Sequence, residues 1–271
     1  MRVHLVQVAY GDDEPVAERI ERVADLVTQQ SGADLVVLPE LWAPGGFAYR
    51  TWPEHAEPLD GPTFTSIGAA ARKIGATVHA GSIVETAPAD APASARGAQG
   101  RGRWNTSAVF GPDGERVGLY RKIHRFGFGT GEPVLIEAGT EIETFRVAVA
   151  ADVLFGLSTC YDVRFPELYR RQLDAGVQVF VIPAAWPLAR VEHWRTLGRA
   201  RAIENQCVVI QCNTGGTHAG VPMGGSSQVI NAAGEVLAET GTGEEVLVVE
   251  VDLAATHQWR EQFPVLADRR L

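Results

Sequence analysis

The chain has 271 residues, 45% of them hydrophobic and 21% charged, with a mean hydropathy near zero, the composition of an ordinary globular protein. A formal charge of −9 and a pI near 5.3 argue against a basic stripe for nucleic acid and against an anchor for an anionic membrane. No apolar run approaches the roughly 20 residues that span a bilayer.

The opening segment MRVHLVQVAYGDDEP lacks the apolar stretch of a signal peptide and soon meets Asp12, Asp13 and Glu14. The three cysteines, Cys160, Cys207 and Cys212, are too few and too odd in number for a disulfide framework. A reducing, cytoplasmic location is the expectation. At this length folding removes roughly 75% of the unfolded chain's accessible surface, so a large core needs no staples.

In chain order, Val3 to Ala9 reads as a strand. Residues 13–30 follow as an amphipathic helix with Val16, Ile20, Val23 and Val27 at helical spacing. Asp34-Leu-Val-Val-Leu-Pro-Glu40 is a short apolar run that stops at a carboxylate. A helix is predicted over 63–74 and a strand over 77–85. The Pro-, Gly- and Ala-rich stretch 87–103 reads as a mobile surface loop between strands. Trp104 to Phe110 and Arg116 to Tyr120 flank Gly111-Pro-Asp-Gly114, a hairpin signal. Strands are predicted at 145–149 and 153–159, and a helix from Pro166. Strand 177–182, helix 191–205 and strand 207–212 come next. A hairpin turns at Asn231-Ala-Ala-Gly234, strand 245–251 follows, and the polar tail 252–271 starts as a short helix. Several strands are apolar on every residue, as in sheets covered on both faces by helices or by another sheet. No boundary divides the functional motifs, so residues 1–271 read as one α/β domain.

Three apolar strands end in a residue capable of chemistry: at Glu40, at Cys160 and at Trp186. In open α/β sheets ligands collect outside the carboxyl ends of strands, which would bring the three to one rim. Cys160 has a strand–turn–helix setting like a nucleophile elbow, where a nearby helix N-terminus would lower a thiol pKa of about 8.5. The alternative is a buried structural cysteine, the reading preferred for Cys207 and Cys212. Glu40 is either ion-paired or a base, because an unpaired buried charge is costly. Lys122 taken alone could be one more exposed lysine.

Together, Glu40 in LPELW, Lys122 in YRKIH and Cys160 in STCYDVRFPE resemble, in order and wide spacing, the Glu–Lys–Cys triad of the nitrilase superfamily of carbon–nitrogen hydrolases. The similarity runs from the first strand to about residue 255. It implies a four-layer α-β-β-α sandwich and amide cleavage through a thioester on Cys160. Glu40 would act as the base. Lys122 and the backbone N–H of Tyr161 would hold the oxyanion. The resemblance also implies a second glutamate, for which Glu132 is the best match and Glu137 fits worse. The stretch 125–131 (RFGFGTG) departs from the usual family text. No metal or other cofactor is implied, and the seven histidines show no paired ligand spacing. His193, beside Trp194, reads as a packing residue.

Cys-Tyr-Asp followed by Arg-Phe-Pro resembles the omega-amidase and Nit-like branch, as does the segment 185–206. That implies a small-molecule amide substrate, in particular a 2-oxo acid amide, bound near Trp186. Arg190 would be its carboxylate anchor and Arg164 the alternative, although Asp162 is close enough in sequence to pair with Arg164. An N-carbamoyl-amine hydrolase is the nearest rival. A soluble acyltransferase and an inactive thiol-bearing binding protein are more distant ones. The resemblance implies at least a homodimer, with 165–175 and 252–271 packing across the partner.

Overall fold

The computed structural model describes residues 1–270. Two six-stranded sheets form its centre. The first runs in the order Glu245–Glu250, Arg2–Gln7, Leu35–Val37, Thr77–Thr86, Arg103–Phe110 and Arg116–Arg121. The second runs Val236–Glu239, Gln228–Ile230, Val208–Cys212, Val177–Pro183, Ala150–Leu157 and Thr144–Val147. In each sheet three central strands are parallel and the edges antiparallel.

Because successive strand residues face opposite ways, a strand covered on both sides must be apolar throughout. Val179 and Val181 enter the core between the sheets, with Leu5, Leu35 and Val37 from the other sheet. Phe180 and Ile182, one residue out of phase, pack outward with Leu168 and Tyr169 of helix Pro166–Asp174 and Trp194 of helix Val191–Asn205. On the far side, Ile20, Val23 and Val27 of helix Val16–Thr28 share a core with Phe64 and Ile67 of helix Pro62–Ile74 and with Val6, Val36 and Val78. The result is the four-layer α-β-β-α sandwich. Among the described residues, no helix is long and apolar enough to cross a membrane.

Several elements differ from their predicted bounds. The first strand ends at Gln7, and Ala9–Tyr10 leaves it to join a small separate sheet with Gly215–His218 and Val221–Pro222. The strand leading to Cys160 stops at Leu157, which leaves Ser158 and Thr159 to build a turn. The stretch 87–103 is tied down: the buried Glu137 carboxylate accepts the Gln99 and Arg101 amides at 3.0 and 2.7 Å. The tail forms helix Ala254–Gln262 and folds back on its own chain. Arg260 donates to the Gln206 carbonyl at 3.0 Å, and Arg269 pairs with Asp174 at 2.7 Å.

The strand Thr77–Thr86 is irregular where it passes the segment leading to Glu40. Its pairing with Arg103–Phe110 shifts register between His79 and Ser82, and Gly81 sits at φ +69°. A Cβ at Gly81 would lie 1.9 Å from the Pro39 carbonyl oxygen, where only glycine fits. Gly81→Ala is therefore expected to cost about 2 kcal/mol or more of stability, measured by urea unfolding. An unchanged midpoint would contradict this close approach.

Candidate active site

Glu40 lies just beyond strand Leu35–Val37, and Leu41 after it takes a left-handed φ of 45°, its N–H accepted by Ser82 Oγ at 3.1 Å. This bend turns the glutamate toward the end of the other sheet, where the Ala185 N–H donates to its Oε2 at 2.9 Å. Cys160 is the first residue of a 3₁₀ turn over Cys160–Arg164, at φ 50°. A left-handed, non-glycine residue carrying a reactive group is the backbone signature of an elbow.

A reciprocal capping box holds that elbow. The Thr159 side chain accepts the Asp162 N–H, and the Asp162 carboxylate accepts the Thr159 N–H at 2.8 Å. Asp162, fully buried, also accepts from Tyr120 Oη at 2.7 Å, from the His124 backbone N–H at 2.9 Å and from His124 Nδ1 at 2.7 Å. It thereby fastens the segment carrying Lys122 to the turn carrying Cys160. The anticipated pairing of Asp162 with Arg164 does not occur, because these four donors already occupy the carboxylate.

Lys122 projects between the two glutamates with its side chain 1% exposed. Its Nζ lies 2.7 Å from Glu40 Oε1, and 3.0 and 2.9 Å from Glu132 Oε1 and Oε2. Asn105 Nδ2 donates to the same two oxygens, at 2.8 Å to Glu40 Oε1 and 2.9 Å to Glu132 Oε1. Glu132 opens the short helix Glu132–Leu135, and its Oε2 also accepts the Phe126 N–H. Burial works against charge on Lys122, but Glu132 and then Glu40 outweigh it and hold the ammonium well above the ordinary lysine range. Glu132 is pushed above the usual carboxylate value by burial, with Glu40 adding to it against the pull of Lys122. Glu137 points away to the 87–103 stretch, so Glu132 alone joins the site.

The thiol reverses one expectation. Burial, reinforced by the negative charge of Glu40, raises Cys160 well above the ordinary thiol value despite the opposing pull of Lys122. The short turn beyond it does not compensate, so the resting state is a neutral thiol beside a carboxylate.

These groups line one cavity, together with Gly46, Phe47, Tyr49, Phe126, Tyr161, Arg164, Ala185, Trp186, Pro187 and Arg190. Apart from Glu137, the residues singled out from the sequence as site candidates thus meet here. The Trp186 indole donates to the Arg190 carbonyl at 2.7 Å, and the Arg164 guanidinium lies 4.7 Å from the Trp186 ring. Arg190 rests 5.5 Å from the Phe126 ring. Among the described residues, neither arginine has a carboxylate partner. Burial lowers the pKa of Arg164, and the nearby charge of Arg190 lowers it further. His193, read as packing, is exposed and accepts from Arg164 Nη2 at 3.2 Å, while Trp194 fills the core. Cys207 and Cys212 are buried as expected, their thiols pushed up by desolvation to about 12 and beyond.

Sequence reasoning missed Asn105 and the aromatic wall of Phe47, Tyr49 and Phe126. The signal for the first was available: Asn105 opens the polar triplet Asn105-Thr-Ser107 inside a strand, and asparagine is depleted in strands. The wall comes from loops and carries no comparable pattern.

Residues 2–261 match the family model described as carbon-nitrogen hydrolase. The chain belongs to the carbon-nitrogen hydrolase family. It is 46% identical to a 2-oxoglutaramate amidase of Paenarthrobacter nicotinovorans, over 99% of this chain and 89% of that one. A 2-oxoglutaramate amidase of Bacillus subtilis is 34% identical, over 97% of this chain and 94% of its own. A solved structure of a CN-hydrolase superfamily protein from Xanthomonas campestris is similar with a TM-score of 0.87 and 30% identity, covering 100% of this chain and 97% of its own. As a carbon-nitrogen hydrolase of this amidase branch, the enzyme cleaves an amide-type carbon–nitrogen bond.

The electrostatics of this hydrolase site yield a signed prediction. Glu40→Gln removes the negative charge that raises the thiol while leaving Lys122, so the Cys160 pKa should fall below that of the parent enzyme. Ultraviolet titration of the thiolate, with Cys160→Ala as blank, measures it. A pKa equal to or above the parent's would refute the charge coupling.

Proposed function

We propose that Cys160 attacks the amide carbon of a 2-oxo acid ω-amide and that Glu40 moves the protons. Attack forms the sulfur–carbon bond as the thiol proton passes to Glu40, and the carbonyl oxygen gathers negative charge. Lys122 and the Tyr161 N–H stabilise that oxygen; among the described residues no acceptor takes this N–H. Glu40 then returns the proton to the nitrogen, the carbon–nitrogen bond breaks, and ammonia leaves a thioester on Cys160. Water, deprotonated by Glu40, adds to the thioester. Collapse releases the carboxylic acid and restores the thiol. One oxyanion donor is typically worth about 10²–10³ in rate. Glu132 keeps Lys122 charged and oriented.

The observation carrying this reading is the thiol, the carboxylates and the buried ammonium gathered in one cavity with two arginines that lack carboxylate partners among the described residues. A guanidinium grips a carboxylate through two parallel hydrogen bonds, and Arg190, unlike Arg164, has no side-chain partner to give up. The omega-amidase relatives, which include 2-oxoglutaramate amidases, point to the same substrate class. We place the enzyme in the cytoplasm, where its three free thiols suit reducing conditions. We read the chain as one domain, because both sheets contribute to the cavity.

Arg190→Ala should raise KM for 2-oxoglutaramate by about 10-fold or more and leave kcat on a neutral short amide within about twofold, with Cys160→Ala inactive on both. Equal losses on both substrates, or none on either, would remove Arg190 as the anchor.

We also propose a homodimer in which helix Pro166–Asp174 and the tail from residue 252 pack across the partner. In and beside the tail, Ile203 and Phe263 are 51% and 53% exposed, apolar surface that a partner would cover. Light scattering should give at least twice the 29.2 kDa subunit mass at micromolar concentration. A monomer mass would exclude the dimer.

A further inference from the structure

We propose that Asn105 is a positioning residue that sets the catalytic carboxylates and keeps one hydrogen of the Lys122 ammonium available to substrate. This rests on the Cys160 amidase reading above. Two carboxylates share a single buried ammonium, so the cluster carries one excess negative charge in a cavity shielded from water. Like charges so placed compete for protons and for donors. An ammonium has three hydrogens, and Glu40 and Glu132 can draw on all of them. Asn105 Nδ2 places one hydrogen on Glu40 Oε1 and the other on Glu132 Oε1, the same two oxygens that Lys122 reaches. With those oxygens partly satisfied by the amide, two lysine hydrogens hold the pair and the third is free for the reacting carbonyl.

The amide's orientation follows from the charges. Turning it over would set its oxygen against both carboxylates, so the nitrogen faces them. The price is a buried Oδ1 that finds no protein donor among the described residues. The donor is also neutral. A second cation there would work against the burial and the Glu40 charge that raise the Cys160 thiol, whereas the amide supplies hydrogen bonds without adding charge. Glu40 is then held at Oε1 by Lys122 and Asn105 and at Oε2 by the Ala185 N–H, in one fixed orientation.

The side chain is separable from the strand. The Lys122 backbone N–H donates to the Asn105 carbonyl at 2.9 Å, a bond that substitution of the side chain leaves in place. Asn105→Leu is close in shape and removes both donors. The charged and titratable groups facing the carboxylates, namely Lys122, Cys160, Tyr49, Arg164 and Arg190 around the cavity and Tyr10 behind Glu40, are unchanged in the variant.

Three readouts test the proposal on the purified enzyme. In Asn105→Leu, kcat for 2-oxoglutaramate should fall about 100-fold, the cost of a misplaced catalytic group, with KM within about threefold. The acid limb of kcat/KM should move up by about one pH unit, because carboxylates that lose a donor bind protons more readily. Difference infrared titration of the carboxylic-acid carbonyl stretch, which needs no substrate, should move the same way. Asn105→Thr keeps one donor and suits a strand; it should show the same shifts at smaller size, and it serves if Asn105→Leu does not fold. Unmoved acid limb and infrared midpoints would overturn the role even if kcat drops, since a merely structural fault leaves them in place. A parent enzyme that hydrolyses no amide, yet shows the infrared shift on substitution, would overturn the amidase reading while leaving the carboxylate coupling standing.

Discussion

Lys122 carries its ammonium into the protein interior, and two carboxylates within 3.0 Å make that position tenable. Removing one partner of such a buried set typically costs about 3–5 kcal/mol, because an uncompensated charge is left behind. The three residues come from strand ends and a short helix far apart in the chain, so the ion cluster also acts as a clamp between segments. Its excess negative charge has a chemical consequence. Burial and Glu40 raise the Cys160 thiol, so in the proposed mechanism the thiolate is made at the moment of attack rather than stored.

That arrangement works only if the thiol and the lysine are held in register. Asp162 provides the link: it caps the Cys160 turn through Thr159 and binds Tyr120 and His124 on either side of Lys122. The left-handed φ values of Leu41 and Cys160 store local strain beside Glu40 and at Cys160. The surrounding sandwich sustains it, since strands apolar on both faces give a rigid frame on which a strained turn cannot relax.

The mouth of the cavity is built differently from its floor. Glu40, Lys122, Glu132 and Cys160 are buried and fully engaged, whereas Arg164 and Arg190 rest on aromatic rings and keep their charge unpaired by any carboxylate among the described residues. In the proposed reaction such a division would let a substrate be gripped at one end by cations and cleaved at the other beside a negatively charged cluster.

The sequence by itself determined that the central strands are covered on both faces, and it singled out Glu40, Lys122 and Cys160, which the structure brings together. Doubly apolar strands such as Phe180-Val-Ile can exist only with cover on both faces, and Glu40, Lys122 and Cys160 stand in motifs too specific in order and spacing to be incidental. It also singled out Glu132, Trp186, Arg164 and Arg190. Only the tertiary structure decided what depends on who else is nearby. Cys160 holds its proton because burial and Glu40 act on it together, a balance that a local helix terminus cannot foretell. Asp162 is spent on Tyr120, His124 and Thr159 rather than on Arg164, and Asn105 bridges residues 65 and 27 positions away. Periodicity reports which face of an element is buried; it carries no information about which distant donors reach a buried oxygen, and those donors set the protonation and orientation of every group at the site.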